Sequence, residues 1–369
     1  MSTKERIINF IKSEVVLSVA IVAAIITCFF VPIDKEYLGY FDWNTLVLLF
    51  CMLAVIAGLK STNVFELISK RMVSMFKTRR GVIYALVFGT FFFDMIVAND
   101  MSLITFLPLT YIVLHSTHND KYLAFTFIMQ TIAANMGGMI TPYGNPQNLY
   151  LYSYYNIPTS EFFGILAIQA ITVLVLLWIC CSFIHNEPLK LRKKSKIIIS
   201  INKLYIYAVL FVLVILGIFR AIPYIVVLGI VVFTIAITDR KRFKKVDYAL
   251  LATFAVFFIF SGNIARIPAI KDMISAIVTK NTLLAGIVSC QFISNVPTAI
   301  FLSKFTANYR ELLISVNIGS LGILISSLAS LITLKEFLKH QPKNFWKYLG
   351  LFTIFNTMFL IVLLIITNI

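Results

Sequence analysis

Two carboxylates stand inside an apolar stretch of this sequence. Residues 91–109 read FFFDMIVANDMSLITFLPL, with Asp94, Asn99, Asp100 and Ser102 near the centre. A carboxylate at membrane depth is costly, and such residues mark ion pathways and binding sites. Asp100 is our first candidate for a group that binds a coupling cation or proton, and Asp94 is the second. The structural alternative is that Asp100 only caps a helix.

A second polar run follows at residues 135–149, which read NMGGMITPYGNPQNL. Proline lacks the N–H that a helix needs and glycine weakens a helix interior, so the run predicts a break in a helix. Broken backbone at membrane depth persists only inside protein or beside water. Half-helix ends that face each other there can bind anions through amides and cations through carbonyls. The candidate ligand-binding residues are Asn135, Gly137, Gly138, Thr141, Gly144, Asn145, Gln147 and Asn148.

Both polar runs recur later in the chain. CQFISNVPTAIFL (residues 290–302) matches residues 94–106, and NIGSLGILISSLASL (residues 317–331) matches residues 135–149. This internal repeat favours ligand contact over simple capping and packing at these positions, although small residues also serve helix contacts in membranes. The second repeat adds the candidates Ser294, Asn295, Thr298, Asn317, Gly319, Ser326, Ser327 and Ser330.

The amino-acid composition indicates the environment in which these residues lie. The chain has 369 residues, 60% of them hydrophobic and only 13% charged, and a mean hydropathy of +0.91. These values predict a polytopic membrane protein. The net charge of +16 comes from basic clusters between apolar runs, as expected for cytoplasmic loops and not for nucleic-acid binding. No HExxH or GxSxG pattern occurs in the sequence, so we expect a protein that is not an enzyme.

The hydrophobic runs predict an all-α fold with about nine crossings and two re-entrant hairpins. An N-terminal repeat (1–196) holds spans 14–31, 43–59 and 161–183, a hairpin at 81–114 with its tip at Asn99 to Ser102, and a broken helix at 121–152. A linking span covers 197–219. The C-terminal repeat (220–369) holds spans 222–238, 247–265 and 345–368, a hairpin at 282–306 and a broken helix at 310–335.

The offset between the repeats is five crossings, an odd number, so the repeats should be inverted. With the N-terminus in the cytoplasm, most of the 32 basic residues fall on cytoplasmic segments, in agreement with the positive-inside rule. The basic residues on the other side are Lys35, Arg220, Arg266, Lys271, Lys280, Lys304 and Arg310.

The segments NDMSLITFLPL, GGMITPYGNPQN and SNVPTAIFL resemble the paired motifs of the ion transporter superfamily. This group includes citrate and dicarboxylate carriers, arsenite permeases and one type of sodium/proton antiporter. The resemblance covers nearly the whole chain, which is most similar to the compact citrate-transporter-like members. It implies a homodimer in the cytoplasmic membrane, in which hairpins and broken helices slide by an elevator motion against a fixed scaffold.

The hairpin tips refine this resemblance. The dicarboxylate branch carries Ser-Asn-Thr at each tip, for sodium and substrate carboxylate, whereas this chain has Ala98-Asn99-Asp100 and Ser294-Asn295-Val296. The retained asparagines imply Na⁺ sites at Asn99/Gly138 and Asn295/Gly319. The acid in the first tip resembles the arsenite-permease and antiporter branches.

Three functions remain open from the sequence. The first is a carrier of a small anion or oxyanion driven by H⁺ or Na⁺, without other cofactors. The second is a Na⁺/H⁺ antiporter that uses Asp94 and Asp100. The third is a membrane scaffold or intramembrane enzyme, which no catalytic pattern supports.

Overall fold

The computed structural model describes Glu5 and residues 14–97, 99–189 and 197–368. Residues 1–4, 6–13, 98, 190–196 and 369 lie outside these ranges, and Ala98 of the first hairpin tip is among them. Within the described ranges the regular structure is helical, apart from one isolated β-bridge between Thr78 and Pro188. The prediction of an all-α fold is confirmed.

The N-terminal half contains eight of the described helices. They are α1 (Val15–Cys28), α2 (Trp43–Lys60), α3 (Val64–Val73), α4 (Arg79–Asp94), α5 (Asn99–Ser116), α6 (Leu123–Gly137), α7 (Pro146–Tyr154) and α8 (Thr159–Ser182). Local chemistry sets several of these starts. The Asp42 carboxylate accepts a hydrogen bond from the Thr45 amide at the start of α2, and Thr78 accepts from the Gly81 amide at the start of α4.

The remainder of the chain begins with α9 (Ile201–Ile218) and continues with eight further helices. They are α10 (Tyr224–Thr238), α11 (Tyr248–Ala265), α12 (Pro268–Lys280), α13 (Thr282–Ile293), α14 (Asn295–Leu302), α15 (Tyr309–Ile318), α16 (Leu328–His340) and α17 (Phe345–Thr367). Asp247 caps α11 through the Leu250 amide, as Asp42 caps α2. The segments that these two aspartates begin, DWNTL at residues 42–46 and DYALL at residues 247–251, also match each other in the sequence.

Six helices among the described residues are long and apolar enough to cross a membrane, or seven if the bent pair α12 and α13 counts as one span. This confirms a polytopic membrane protein. The number is below the nine predicted crossings because three predicted spans are short or interrupted. Helices α1 and α10 have 14 and 15 residues, and the span predicted at 310–335 is divided into α15 and α16.

Helices α4 and α5 form an antiparallel pair. At their joined end, Ser102 Oγ donates to Asp94 Oδ1 at 2.5 Å. At their open end, Arg79 Nη1 donates to Asn119 Oδ1 at 3.2 Å, just after α5. The turn between the helices begins at Met95, so the predicted tip was placed too far along the chain. Asn99 to Ser102 form the first turn of the second arm, because they already have helical backbone.

Helices α13 and α14 repeat this arrangement in the C-terminal half. Their single connecting residue, Ser294, has a positive φ of 71° and reverses the chain between the two helices. The hydroxyls of Thr282 and Thr306 lie 3.4 Å apart at the open end. A second helical hairpin is therefore present.

The first polar run breaks its helix as proline and glycine require. Helix α6 ends at Gly137, a 3₁₀ turn covers Gly138–Ile140, and α7 begins at Pro146. In the C-terminal half, α15 ends at Ile318 and α16 begins at Leu328, with a 3₁₀ turn at Leu324–Ser326 between them. Each half of the chain thus contributes a hairpin and a broken helix to the centre.

Other helices surround this centre. Helix α11 packs along α1, and α2 packs against α9 and α10. The crossing of α2 and α9 is close, since a Cβ at Gly58 would overlap the Tyr207 ring. These contacts bury apolar side chains from both halves of the chain in one continuous core.

Candidate functional site

Asp94 ends the first hairpin arm inside the protein. Its side chain is fully buried, and Oδ1 accepts the hydrogen bond from Ser102. Oδ2 is buried and makes no hydrogen bond of standard geometry with the described residues, although the Gly138 backbone lies directly beside the carboxyl. An unpartnered buried polar atom costs about 1–3 kcal/mol, and a charged one costs more. This oxygen faces the first helix break at Gly138.

The first helix break packs directly on this hairpin end. Thr141 Oγ1 donates to the Met95 carbonyl at 2.9 Å. A Cβ at Gly138 would lie 2.5 Å from Asp94 Oδ2 and would also overlap Asn145 Oδ1. Asn145 Oδ1, like Asp94 Oδ2, is buried without a hydrogen-bond partner among the described residues. Two acceptor oxygens from different elements thus converge beside one glycine.

The remaining polar groups of the break hold its backbone in place. Asn145 Nδ2 donates to the Asn135 carbonyl at 3.1 Å. Asn148 Nδ2 donates to the Met139 carbonyl at 3.1 Å and, at longer range, to the carbonyls of Gly138 and Thr141. These bonds satisfy carbonyls that the interrupted helix leaves without partners.

The two broken helices cross each other at their breaks. Asn317 Nδ2, at the end of α15, donates to Asn148 Oδ1 of α7 at 2.7 Å, and Gln147 Nε2 lies 3.5 Å from Asn317 Oδ1. Reciprocally, Ser327 Oγ, before α16, donates to Asn135 Oδ1 of α6 at 2.7 Å. The end of each first half-helix therefore contacts the start of the second half of the other broken helix.

The second hairpin joins the network through its turn. Ser294 Oγ donates to the Ser326 carbonyl at 3.3 Å, and Thr298 Oγ1 donates back to the Ser294 carbonyl at 2.8 Å. Asn295 Oδ1 accepts from the Val296 amide at 3.0 Å. Both hairpins and both breaks are thereby connected by hydrogen bonds through the centre of the protein.

Comparison with known proteins agrees with this architecture. The family model described as citrate transporter, CitMHS, matches residues 6–311. The chain belongs to this citrate transporter family. The match confirms the resemblance to the ion transporter superfamily that the sequence motifs indicated.

Three proteins illustrate what this citrate transporter family member is similar to in sequence. An uncharacterized transporter of Methanocaldococcus jannaschii is 35% identical over 308 residues, which cover 80% of this chain and 81% of the relative. The inner membrane protein YbiR of Escherichia coli is 26% identical and covers 87% of this chain and 86% of its own length. The putative transporter arsB of Dictyostelium discoideum is 24% identical over 43% of this chain and 29% of its own length.

Most residues predicted for the site in this citrate transporter family member are buried together. The polar side chains of the two breaks are at most 7% exposed, and those of the hairpin ends other than Asp100 are at most 9% exposed. Gly137 and Gly144 lie where backbones approach closely, against Phe91 and Gly138, and Gly319 lies at the end of α15 against the Cys290 side chain of α13. Ser326 bonds to the carbonyls of Ser320 and Ile323 within its own break.

Asp100 and Asn99 lie at the edge of this network. Asp100 is half-buried, and its Oδ1 is buried without a hydrogen-bond partner within the described ranges. Asn99 is buried, and its carbonyl accepts from Ser102 Oγ at 3.0 Å. The geometry places Asp94 against the first break, and the binding role predicted for Asp100 stays a prediction.

Three sets of side-chain hydrogen bonds that connect the elements of the site were not predicted from the sequence. Gln130 on α6 bonds to Thr110 of one hairpin arm at 2.9 Å and to Thr90 of the other at 3.1 Å. Thr131 and Thr333 bond to each other at 2.8 Å, joining the two broken helices. The Gln291 side chain on α13 donates to the carbonyls of Gly319 and Leu321 in the second break. Single polar residues in apolar helices gave the only sequence signal for these contacts.

The site offers both donors and acceptors to a ligand. Six buried side-chain atoms there have no hydrogen-bond partner in the described ranges: Asp94 Oδ2, Asp100 Oδ1, Asn135 Nδ2, Asn145 Oδ1, Gln147 Oε1 and Ser330 Oγ. In the same ranges, no group of three or more His, Cys, Asp and Glu residues could hold a metal ion. The chemistry available is reversible binding of small polar or charged species.

Proposed function

We propose that this chain is an ion-coupled secondary active transporter that moves a small anion or oxyanion across the cytoplasmic membrane. The supporting observation is the crossing of two broken helices, where Asn148 meets Asn317 and buried polar atoms remain without partners. Broken helices at membrane depth form binding sites in secondary transporters. The family description and the relative named arsB favour a substrate of the citrate, dicarboxylate or arsenite class.

The local electrostatics suit two ligands of opposite charge. Helices α5, α7, α14 and α16 begin at the network, and their N-terminal amides favour an anion. The carboxylate of Asp94 and the carbonyl oxygen of Asn145 favour a cation or a proton instead. A carboxylate is costly in a hydrophobic surrounding, so it must be neutralised before the loaded site moves. Binding of the cation together with the anion would couple their transport.

We further propose that the two halves are inverted repeats that transport by an elevator motion. The reciprocal contacts of Asn135 with Ser327 and of Asn317 with Asn148 support a pseudo-two-fold relation between the halves. The site is buried, so a ligand reaches it only if the hairpins or broken helices move. In this proposal they move as one body against α1, α2 and α9 to α11, in a homodimer whose N-terminus is cytoplasmic.

A Na⁺/H⁺ antiporter is the second candidate. The observation that favours it is the pair of buried carboxylate oxygens without partners, Asp94 Oδ2 and Asp100 Oδ1. An antiporter needs no organic substrate, because sodium and protons would compete for the same carboxylates.

Flux through reconstituted vesicles tests the proposal. Purified protein in liposomes with an internal pH dye receives a Na⁺ or H⁺ gradient, with and without external citrate, a dicarboxylate or arsenite. The proposal predicts that at least one anion is taken up only when an ion gradient is present. Sodium-driven proton flux without any added anion would contradict it and support the antiporter.

A further inference from the structure

The two helix breaks differ in how their polar groups are satisfied. In the first break, Asp94 Oδ2 and Asn145 Oδ1 lie beside Gly138 without partners among the described residues. In the repeat, the residue that corresponds to Asp94 is Cys290, a thiol without a charge at neutral pH. The next residue, Gln291, places its side chain into the second break.

The Gln291 amide bonds to the backbone of the second break on both sides. Its Nε2 donates to the carbonyls of Gly319 at 2.9 Å and Leu321 at 3.1 Å, and it also lies 3.2 Å from the Ile287 carbonyl of its own helix. Its Oε1 accepts from the Ile323 amide at 3.0 Å. An amide NH₂ group has two donors and carries partial positive charge, so it satisfies here the carbonyls that a bound cation would otherwise satisfy.

The backbone of the second break is shaped around this side chain. Gly322 has a φ of +113°, which residues with a side chain rarely adopt. A Cβ at this position would also overlap Gln291 Oε1. Glycine at 322 thus permits both the turn and the inserted amide, and the Gln291 contact is a built part of the break.

We propose that the Gln291 amide takes the place of a coupling cation in the second break, so that the carrier binds one coupling cation, at Asp94 and Asn145. This inference rests on the proposed function and specifies its ion stoichiometry. It departs from the two-site arrangement that the resemblance implies, in which Asn295 and Gly319 would hold a second Na⁺. Here the Gly319 carbonyl already has a partner.

Ligand-dependent stability of the purified full-length protein tests this inference. Stabilisation by a bound ion grows with the logarithm of its concentration, with a slope set by the number of ions bound. The thermal unfolding midpoint is therefore measured as a function of Na⁺ concentration, with choline replacing Na⁺ so that the ionic strength stays constant. It is measured separately as a function of pH. The inference predicts a slope of about one ion per protein, which Asp94→Asn abolishes.

Two substitutions of Gln291 complete the test. Gln291→Glu removes the amide donors and brings a carboxylate to the carbonyls of Gly319 and Leu321, so a second cation should bind and the slope should approach about two. Gln291→Met has similar size but no polar group. It should lower the unfolding midpoint and leave the slope at about one.

A slope of about two for the unaltered protein, unchanged in Gln291→Glu, would overturn the inference while leaving ion-coupled transport intact. If Gln291→Glu does not fold, the slope of the unaltered protein alone decides between one cation and two. Absence of any dependence on Na⁺ or pH would overturn the inference, and anion uptake without an ion gradient would overturn the proposed function itself.

Discussion

Gly138 is the residue around which the candidate site is arranged. It is the point where the first hairpin end and the first helix break come within contact distance, through Asp94 and Asn145. Its φ of −65° lies in the ordinary helical region, so its role is to leave space and not to permit an unusual backbone. Any side chain here would enter the space that the two oxygens share.

Gly138→Ala should therefore impair transport more than folding. The added Cβ would lie 2.5 Å from Asp94 Oδ2. Because the Cβ would fill the space beside Asp94 Oδ2 and Asn145 Oδ1 in which the ion is proposed to bind, we expect ion binding to weaken by about 1–3 kcal/mol and ion-driven uptake to fall by about tenfold or more. Uptake by liposomes with equal amounts of protein measures the effect, and the unfolding midpoint shows whether the protein remains folded.

Gly164→Ala is the matched control, since a Cβ at Gly164 meets no heavy atom within 4 Å. Its uptake should equal that of the unaltered protein. Equal uptake by the two alanine variants would show that the space beside Gly138 is not used.

The sequence predicts a role for both acids and ranks Asp100 first, because Asp100 belongs to the predicted hairpin tip. Asp94 lies six residues earlier in the same apolar run. Which acid contacts Gly138 and Asn145 depends on how a hairpin packs against a helix break some 40 residues later. Local sequence does not contain that information.

The crossing of the two broken helices depends on side-chain amides. Asn317 is fully buried and bonds to Asn148 through Nδ2, while its Oδ1 faces Gln147. Amide pairs of this kind fix the register of the crossing, because each partner would be unsatisfied in any other position.

Asn317→Ala should destabilise the protein. The substitution leaves Asn148 Oδ1 without its donor, at a cost of about 1–3 kcal/mol. The measurement is the free energy of unfolding in detergent. Asn356→Ala is the control, since among the described residues Asn356 Nδ2 bonds only within its own helix, to the Phe352 carbonyl at 2.9 Å. An equal loss in both variants would argue against a special role for the crossing.

A second inter-element contact lies outside the predicted membrane spans and should depend on pH. Arg266 donates to both oxygens of Asp34, at 2.6 and 3.0 Å, and this hydrogen bonding lowers the pKa of the Asp34 carboxyl. A carboxyl whose pKa is lower in the folded state than in the unfolded state stabilises the fold at every pH above its unfolded-state pKa. This contribution is lost as the pH falls through the folded-state pKa.

Arg266→Gln should therefore lower the unfolding midpoint at neutral pH, and the difference from the unaltered protein should shrink as the pH falls below about 4. Thermal unfolding across this range measures it, with the exposed Arg240→Gln as control. A difference that stays constant with pH would show that the ionised Asp34 contributes nothing.

The helix breaks were predictable because proline and glycine act locally. Pro142 and Pro146 exclude a continuous helix, and the repeat indicated the second break even without proline. The hairpin turn was misplaced, since Asn99 and Asp100 suggested a turn by their polarity but belong to a helix. The Gln291 contact could not be predicted, because a lone glutamine in an apolar helix does not specify its partner.

At the scale of the whole molecule, the hairpins and broken helices form one hydrogen-bonded unit. Thr131 and Thr333 join the two broken helices inside this unit, at 2.8 Å. Asn44 on α2 contacts the unit from outside, with Nδ2 2.9 Å from Ser153 Oγ on α7. An elevator motion would preserve the first contact and break the second.

Cysteine cross-links distinguish these two contacts. In a background without the five native cysteines, a disulfide between Thr131→Cys and Thr333→Cys should leave uptake unchanged. A disulfide between Asn44→Cys and Ser153→Cys should stop uptake, and a reductant should restore it. Uptake that continues with the Asn44–Ser153 link closed would contradict the proposed motion.

The sequence predicted the membrane class and the family from composition and motifs. The way the helices pack could not be predicted, since hydrophobic runs give the length of a span and not its neighbours. The contact of Asn317 with Asn148 joins residues 169 positions apart, and only the folded chain shows it.

The proposed transport depends above all on ion binding at Asp94. The decisive measurement is ion-gradient-driven anion uptake by Asp94→Asn in liposomes, beside the exposed control Asp272→Asn. We expect Asp94→Asn to lose the uptake that depends on the gradient and Asp272→Asn to retain it. Gradient-driven uptake by Asp94→Asn at the level of the unaltered protein would rule out this role of Asp94.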